Sequence, residues 1–347
     1  MYKALIRPVL FMFPPELVHK WVAAMLRITF LIPGMAWLVR HCYRIKHQGL
    51  EREVFGIKFP NPVGVAAGFD KEATLYNHLA NFGFGFVEIG TVTPMAQPGN
   101  PKPRLFRLPA DKALINRMGF NNHGVKDMVE KLKKSKARVI IGGNIGKNTL
   151  THNDRVTDDY CICFKDLFNY VDYFVVNVSC PNITGLSKLQ NKDELVSLLQ
   201  AIQKINRNQP VQKPVLLKIA PDLNERQLDD VIEVVSDTKL DGIIATNTTI
   251  QRKELATNKA VIEAIGNGGL SGRPLRDQST KTIAYLHHKS GGKIPIVAVG
   301  GIFTADDALE KLQAGATLVQ VYTGFIYEGP SIAKKINKAM LEHSRIV

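Results

Sequence analysis

Two carboxamides, a hydroxyl and a thiol fall within Asn177-Val178-Ser179-Cys180-Pro181-Asn182, directly after the apolar run Tyr173-Phe174-Val175-Val176. Carboxamides both donate and accept hydrogen bonds, and the thiolate is the reactive form of cysteine, so this is the chemistry of a substrate pocket. The apolar run reads as a strand buried on both faces, ending where the polar residues begin. Pro181 cannot continue a sheet and Gly185 permits unusual backbone angles, so a shaped loop is expected after Cys180, folded over the strand tip. The alternative is a polar turn beside a small buried cysteine, which is how free thiols usually sit. The stretch alone supports both.

Positioning such a tip requires a frame, and from Asn61 onward strand and helix patterns alternate. Short apolar runs predict strands at Val63 to Ala67, Phe86 to Ile89, Val139 to Gly142, Tyr173 to Val176, Val215 to Ile219, Gly242 to Ala245, Ile296 to Val299 and Leu318 to Val321. Helical spacing intervenes at Leu195, Leu198, Leu199, Ile202 and Ile205, with Asn191 and Glu194 spaced as a capping box. It recurs at Leu228, Val231, Ile232 and Val235, and Thr304 and Asp307 cap a helix carrying Leu309 and Leu312. The alternation predicts an α/β fold, a (β/α)8 TIM-type barrel, whose sites gather at the C-terminal strand ends.

Nearly every predicted tip is polar or glycine. Lys218 in Val-Leu-Leu-Lys-Ile would be buried, which is costly unless it meets an anion or an electron-rich ring. Pairing with a neighbouring carboxylate is the weaker expectation, because the adjacent tips carry hardly any acids. Gly300-Gly301 and Tyr322-Thr323-Gly324 follow the seventh and eighth strands, where barrels commonly hold a phosphate, and Gly268 to Gly272 can add to that cradle. Gly83 and Gly85 lack the third glycine of a dinucleotide fingerprint, and Gly142 to Lys147 is one residue short of a phosphate-binding loop.

At 347 residues, with 45% hydrophobic and 22% charged, the chain is globular, and no Ser/Gly or Pro-rich linker divides it. The formal charge is +14. Residues 1–47 hold Lys3, Arg7, Lys20, Arg27, Arg40, Arg44 and Lys46 against the single acid Glu16. No nucleic-acid module accompanies the surplus, so anionic lipid or small anionic ligands account for it better. In this segment Leu17, Trp21, Met25 and Ile28 repeat at helical spacing after Pro14-Pro15, and Met35 to Val39 follows a break at Pro33-Gly34. Two short helices are expected, either lying in a membrane interface or packed on the barrel with the stripe as core; the residues alone favour packing. Val9 to Phe13 is too short for a secretory signal, and nothing reaches a spanning length. Cys42, Cys161, Cys163 and Cys180 lack metal-site spacing, so no metal is expected, and they suit a reducing compartment.

The chain resembles the quinone-dependent class 2 dihydroorotate dehydrogenases over essentially its whole length. The match rests on Ala66 to Lys71, Gly85 to Pro94, Asn116-Arg117-Met118-Gly119-Phe120-Asn121, Asn144 to Asn148 and Gly269 to Leu275. The resemblance implies oxidation of (S)-dihydroorotate to orotate with FMN in pyrimidine biosynthesis, the electrons passing to a membrane quinone. It implies that Ala67, Gly68, Thr91, Asn144, Asn177, Lys218, Thr246, Gly272, Gly301, Tyr322 and Thr323 contact the flavin. Lys71, Asn116, Arg117, Met118, Gly119, Phe120, Asn177, Asn182, Asn247 and Thr248 would hold the substrate, and His19, Arg107 and Tyr322 would line the quinone site. A carboxylated pyrimidine wants a cation and amides, which these residue types supply.

The resemblance also reverses the preference for packing alone at the N-terminus, giving residues 1–47 as a helical tunnel and membrane-association segment and 48–347 as the FMN barrel. The enzyme is then expected as a monomer, peripheral on the cytoplasmic side of the cell membrane. One departure stands out: class 2 members usually carry serine as the catalytic base, and this chain has Cys180, as soluble class 1 members do. A soluble enzyme using fumarate or an NAD-linked partner is the rival reading, and a non-catalytic anion-binding barrel is another. The long N-terminal extension favours an exchanged base on a class 2 frame.

Overall fold

The computed structural model describes residues 1–178 and 192–343. After a hairpin of β1 (Arg52–Val54) and β2 (Ile57–Phe59) come β3 (Val63–Asp70), β4 (Phe86–Val92), β5 (Leu105–Leu108), β6 (Ala113–Asn116), β7 (Ile140–Ile145), β8 (Tyr173–Asn177), β9 (Val215–Ile219), β10 (Gly242–Ala245), β11 (Gly269–Gly272), β12 (Ile296–Val299) and β13 (Leu318–Val321). Strands β3, β4, β7, β8, β9, β10, β12 and β13 close into a parallel barrel with β13 paired to β3, the (β/α)8 architecture expected from the alternation. Strands β9, β10, β12 and β13 keep the predicted bounds, whereas β3 runs on to Asp70 and β7 to Ile145. Thr304 and Asp307 form the expected reciprocal cap of the helix Ala305–Gln313. Asn191, the predicted cap of the helix Lys192–Arg207, lies outside the described residues.

Alternate residues of each parallel strand point into the barrel and stack in layers. The lowest layer is aromatic: Phe59 meets Phe86 edge-on at 5.2 Å, and Tyr173 sits beside them, all buried. Glycine makes the room, since a Cβ on Gly142 would lie 2.3 Å from the Tyr173 ring. With the N-terminal end plugged, polar inward residues can meet a ligand only from the other end.

The β1–β2 hairpin was not anticipated, and neither were two further parts of the fold. Strands β5, β6 and β11 form a small antiparallel sheet in the order β11-β6-β5. It is joined to the barrel rim by the bridge Thr249↔Leu270. Its strands are only four residues each and contribute too short a pattern to read. At the N-terminus, α2 (Pro15–Thr29) and α3 (Met35–Tyr43) match the expected pair, but a π-helical turn at Tyr2–Ile6 and α1 (Arg7–Phe11) precede them. The Tyr2 hydroxyl donates to the Ile326 carbonyl at 2.6 Å and Arg7 to that of Tyr327 at 3.1 Å, tying this start to the helix Thr323–Glu328.

The stripe on α2 is not core, which corrects the packing reading. Trp21, Met25 and Ile28 are 46%, 57% and 66% exposed, while Val18 is buried and Ala23, Leu26 and Phe30 face the barrel. α2 is apolar on two faces, and periodicity cannot say which one meets a partner. The rotation is fixed by tertiary contacts, chiefly the two-pronged pair of Arg104 with Glu16 (3.2 and 2.8 Å) and the rings of Phe30 and His78 (5.4 Å). Among the described residues no helix is long and apolar enough to cross a membrane.

Two imidazoles lie between α2 and the barrel, His19 on the helix itself and His78 against Phe30. Burial, then the charge of Lys71, holds His19 below its ordinary value of 6.5, and burial holds His78 below it too. As pH falls through that value the unfolded chain takes up protons that the folded chain resists. This contribution is therefore intact above it and is lost on the acid side. The thermal midpoint should drop between about pH 7.5 and about pH 5.5, and drop less in a His19→Gln, His78→Gln double variant. Equal drops would remove the two histidines as the cause.

Candidate active site

The C-terminal mouth of the barrel opens into a cavity roofed on one side by β5, β6 and β11. Its wall from β12 and β13 carries Gly300, Gly301, Tyr322, Thr323 and Gly324, and Gly272 joins them from β11, so the glycine tips expected to cradle a phosphate do converge. The Ser271 and Thr323 hydroxyls pair at 2.8 Å on this wall. Of the residues assigned to the flavin by resemblance, Ala67, Gly68, Thr91, Asn177, Lys218, Thr246, Gly272, Gly301, Tyr322 and Thr323 line the cavity. Asn144 is fully buried one step behind, accepting from Thr91 Oγ1 at 2.5 Å and Asn177 Nδ2 at 3.3 Å.

The same cavity is lined by Lys71, Asn116, Met118, Gly119, Phe120, Asn247 and Thr248. Lys71 Nζ donates to Asn121 Oδ1 at 2.7 Å. Asn247 Nδ2 donates to Asn177 Oδ1 at 3.2 Å. Arg117 is a correction. Its guanidinium donates to the Ile265 and Pro103 carbonyls and stacks on Phe106 at 4.8 Å, so those ties hold it away from the cavity. Cys180 and Asn182 lie outside the described residues.

His19, on α2, and Arg107, on β5 and packed against Phe11 and Phe13, do not line the cavity. The His19 ring meets Phe69 at 5.2 Å, and Phe69 meets Tyr322 at 5.7 Å, an aromatic row from α2 to the cavity wall. Burial pushes the Tyr322 hydroxyl up to about 12, so it remains a donor and reaches the Gly68 carbonyl at 3.3 Å. Arg107 lies over the Phe11 ring at 4.5 Å, donates to the Phe13 carbonyl at 2.6 Å, and is lowered by burial.

Lys218 overturns one expectation outright. Its Nζ lies 3.3 Å from Oε1 of Glu88, which is fully buried, so a carboxylate does partner it. The acid was missed because it sits mid-strand on β4 rather than at a tip. Its inward parity, between Phe86 and Gly90 in an otherwise apolar run, was the available signal. Gln320 on β13, fully buried, gives the same signal. Gln97 was also missed: its Nε2 holds the Gly119 and Phe120 carbonyls at 3.0 and 3.1 Å, while its Oε1 accepts from Asn148 at 3.0 Å. That clamp shapes the Asn116–Phe120 loop, and no local pattern announces it.

A planar, phosphorylated ring system suits this cavity. Thr246 Oγ1 is buried in the lining without a hydrogen-bond partner among the described residues, as expected of a group that serves a ligand. Gly68 (φ +92) has only Tyr322 near its missing Cβ, at 3.5 Å, so any side chain there would project into the cavity.

A family model described as dihydroorotate dehydrogenase matches residues 49–343. A relative from Christiangramia forsetii, named dihydroorotate dehydrogenase (quinone), is 56% identical over 343 residues, covering 99% of each chain. A relative of the same name from Thermosynechococcus vestitus is 44% identical over 354 residues, covering 98% of this chain and 96% of its own. The solved structure of ligand-free DHODH from Eimeria tenella superposes with a TM-score of 0.84 at 36% identity, covering 95% of each chain.

Proposed function

The chain belongs to the dihydroorotate dehydrogenase family, and from that premise we propose that it oxidises (S)-dihydroorotate to orotate in pyrimidine biosynthesis, with a membrane quinone as final acceptor. The family is flavin-dependent, and FMN is the flavin whose phosphate matches the Gly272, Gly300, Gly301 and Thr323 wall. The observation that carries the reading is the convergence of that wall with Lys71, Asn116, Asn177, Asn247 and Thr248 in one cavity. FMN, when bound, supplies the acceptor for the C6 hydride and passes the electrons onward.

The remaining work belongs to the chain. Lys71 supplies the cation for the substrate carboxylate, and the carboxamides of Asn116, Asn177 and Asn247 meet the imide edge by donating and accepting. Cys180 takes the C5 proton, and Asn182 joins the substrate amides. Thr246, Lys218 and the glycine wall hold the cofactor. The N-terminal helices give an apolar quinone its route, with His19, Arg107 and Tyr322 along it. Exposed Trp21, Met25, Ile28 and Trp37 on a basic segment support peripheral docking on an anionic membrane face, and the proposal takes the protein as a monomer on the cytoplasmic side.

The deciding experiment is an absorption spectrum before and after anaerobic addition of dihydroorotate. A yellow chromophore bleached by it is expected, and a protein that binds no flavin, or is not bleached, sinks the reading. Two lysine variants separate the subsites. Lys71→Ala should weaken orotate binding about tenfold to a hundredfold with flavin retained. Lys218→Ala should strip flavin and lower stability by about 3 to 5 kcal/mol, because Glu88 is left buried without its cation. Orotate titration, flavin content and thermal unfolding measure all three, and equal losses in both variants would contradict the division.

A further inference from the structure

We infer that Glu88, which touches neither ligand pocket directly, is the positioning residue that sets the hydrogen-bond polarity of the substrate and cofactor amides and the effective charge of Lys218. The inference rests on the functional reading above and deepens it.

Glu88 is a carboxylate at 0% exposure in the barrel layer between the aromatic floor and the cavity. Its Oε1 accepts from Asn144 Nδ2 at 2.6 Å and Lys218 Nζ at 3.3 Å, and its Oε2 accepts from Gln320 Nε2 at 2.6 Å. An ionised carboxylate only accepts, whereas a carboxamide is reversible end for end. Glu88 therefore forces Asn144 and Gln320 to turn their NH2 groups toward it.

The consequence passes up the barrel. With its NH2 committed, Asn144 presents Oδ1, which accepts from Thr91 Oγ1 (2.5 Å) and Asn177 Nδ2 (3.3 Å). Asn177 donates also to Thr91 Oγ1 at 3.0 Å, so its own Oδ1 is turned toward Asn247 Nδ2 at 3.2 Å. Asn247 then presents Oδ1 to the Thr248 amide at 2.9 Å. Each amide gives its NH2 downward and its carbonyl onward, and the series runs between two groups that cannot be reversed, the acceptor Glu88 at the bottom and the backbone N–H of Thr248 at the top. The carboxylate also neutralises Lys218, which lines the cavity, so the positive charge offered to a bound flavin is the remainder after pairing.

Glu88→Gln tests both parts in the full-length holoprotein. A glutamine here presents its NH2 either to Asn144 and Lys218, which breaks the series, or to Gln320, whose amide must then turn over, and in both cases it leaves Lys218 without this counter-charge. The expected result is a more positive midpoint potential of the bound flavin by spectroelectrochemical titration. Orotate affinity, read from flavin absorption, should fall about ten- to a hundredfold. Glu88→Asp keeps the charge but withdraws it by one methylene, so the potential should stay near the parent while orotate binding still weakens. Parent-like potential and orotate affinity in a folded Glu88→Gln protein overturn the inference. If that variant does not fold, unchanged orotate affinity in Glu88→Asp overturns it instead. Failure of the functional reading is seen separately, in a parent protein that lacks flavin or is not bleached by dihydroorotate.

Discussion

Cys180→Ala is expected to slow reduction of the bound flavin by dihydroorotate about 10²- to 10⁴-fold, the usual cost of removing a general base. Flavin content and orotate affinity should stay near the parent, because the substitution leaves Asn177 in place and leaves untouched Lys71, Lys218, Asn247 and the glycine wall, which line the cavity from other strands. The assignment is supported by sequence proximity: Cys180 follows by three positions Asn177, which lines the cavity. Lys71 and Lys218 line the same cavity, and cations of this kind favour the thiolate that would accept the C5 proton. Cys180→Ser should keep part of the rate, since serine is the usual base on this frame. Alkylation of Cys180 should inactivate the enzyme, and orotate should protect it. Stopped-flow bleaching under anaerobic conditions measures the step, and a parent rate in Cys180→Ala would remove the thiol from the chemistry.

Removing residues 1–47 should separate the two half-reactions. Substrate-side chemistry uses barrel residues, so the truncated protein should still be bleached by dihydroorotate. Reoxidation by a long-tailed quinone should collapse, and binding to anionic vesicles should be lost, while a small soluble acceptor continues to work. The physical reason is the geometry of α2. Its inner face meets the barrel through Leu26 and Phe30 and carries His19 against Phe69, while its outer face leaves Trp21, Met25 and Ile28 in solvent. An interfacial helix of this kind binds through its buried apolar area, assisted by basic residues. Trp21→Glu with Met25→Glu is the gentler version, because it leaves the contact of Arg104 with Glu16 intact. It should abolish vesicle binding and keep bleaching unchanged. Full long-tail quinone activity and vesicle binding in both variants would reduce the N-terminal helices to packing.

The sequence by itself determined the barrel and most of the mouth. Strands buried on both faces, such as Val215–Ile219 and Leu318–Val321, are short apolar runs whose limits are set by local chemistry. Where such a run ends in Asn, Thr or paired glycines the tip is legible, which is why Asn177, Thr246 and Gly301 could be named before any contact was known. The Thr304 and Asp307 cap was readable for the same reason, since both partners lie within one turn.

Tertiary structure alone decided the rest, because it depends on residues far apart in the chain. Glu88 and Lys218 are separated by 130 positions, and only barrel closure makes the carboxylate rather than a ligand the lysine's first partner. Arg117 shares a motif with the substrate residues, yet carbonyls from Pro103 and Ile265 turn it away. The sheet of β5, β6 and β11 joins segments that are individually too short to carry a pattern. On α2 the sequence supplied two apolar faces, and the choice between them required Glu16 to find Arg104, 88 positions away. Local chemistry can specify a strand tip or a cap, but the rotation of a helix and the partner of a buried charge are settled only when distant segments pack.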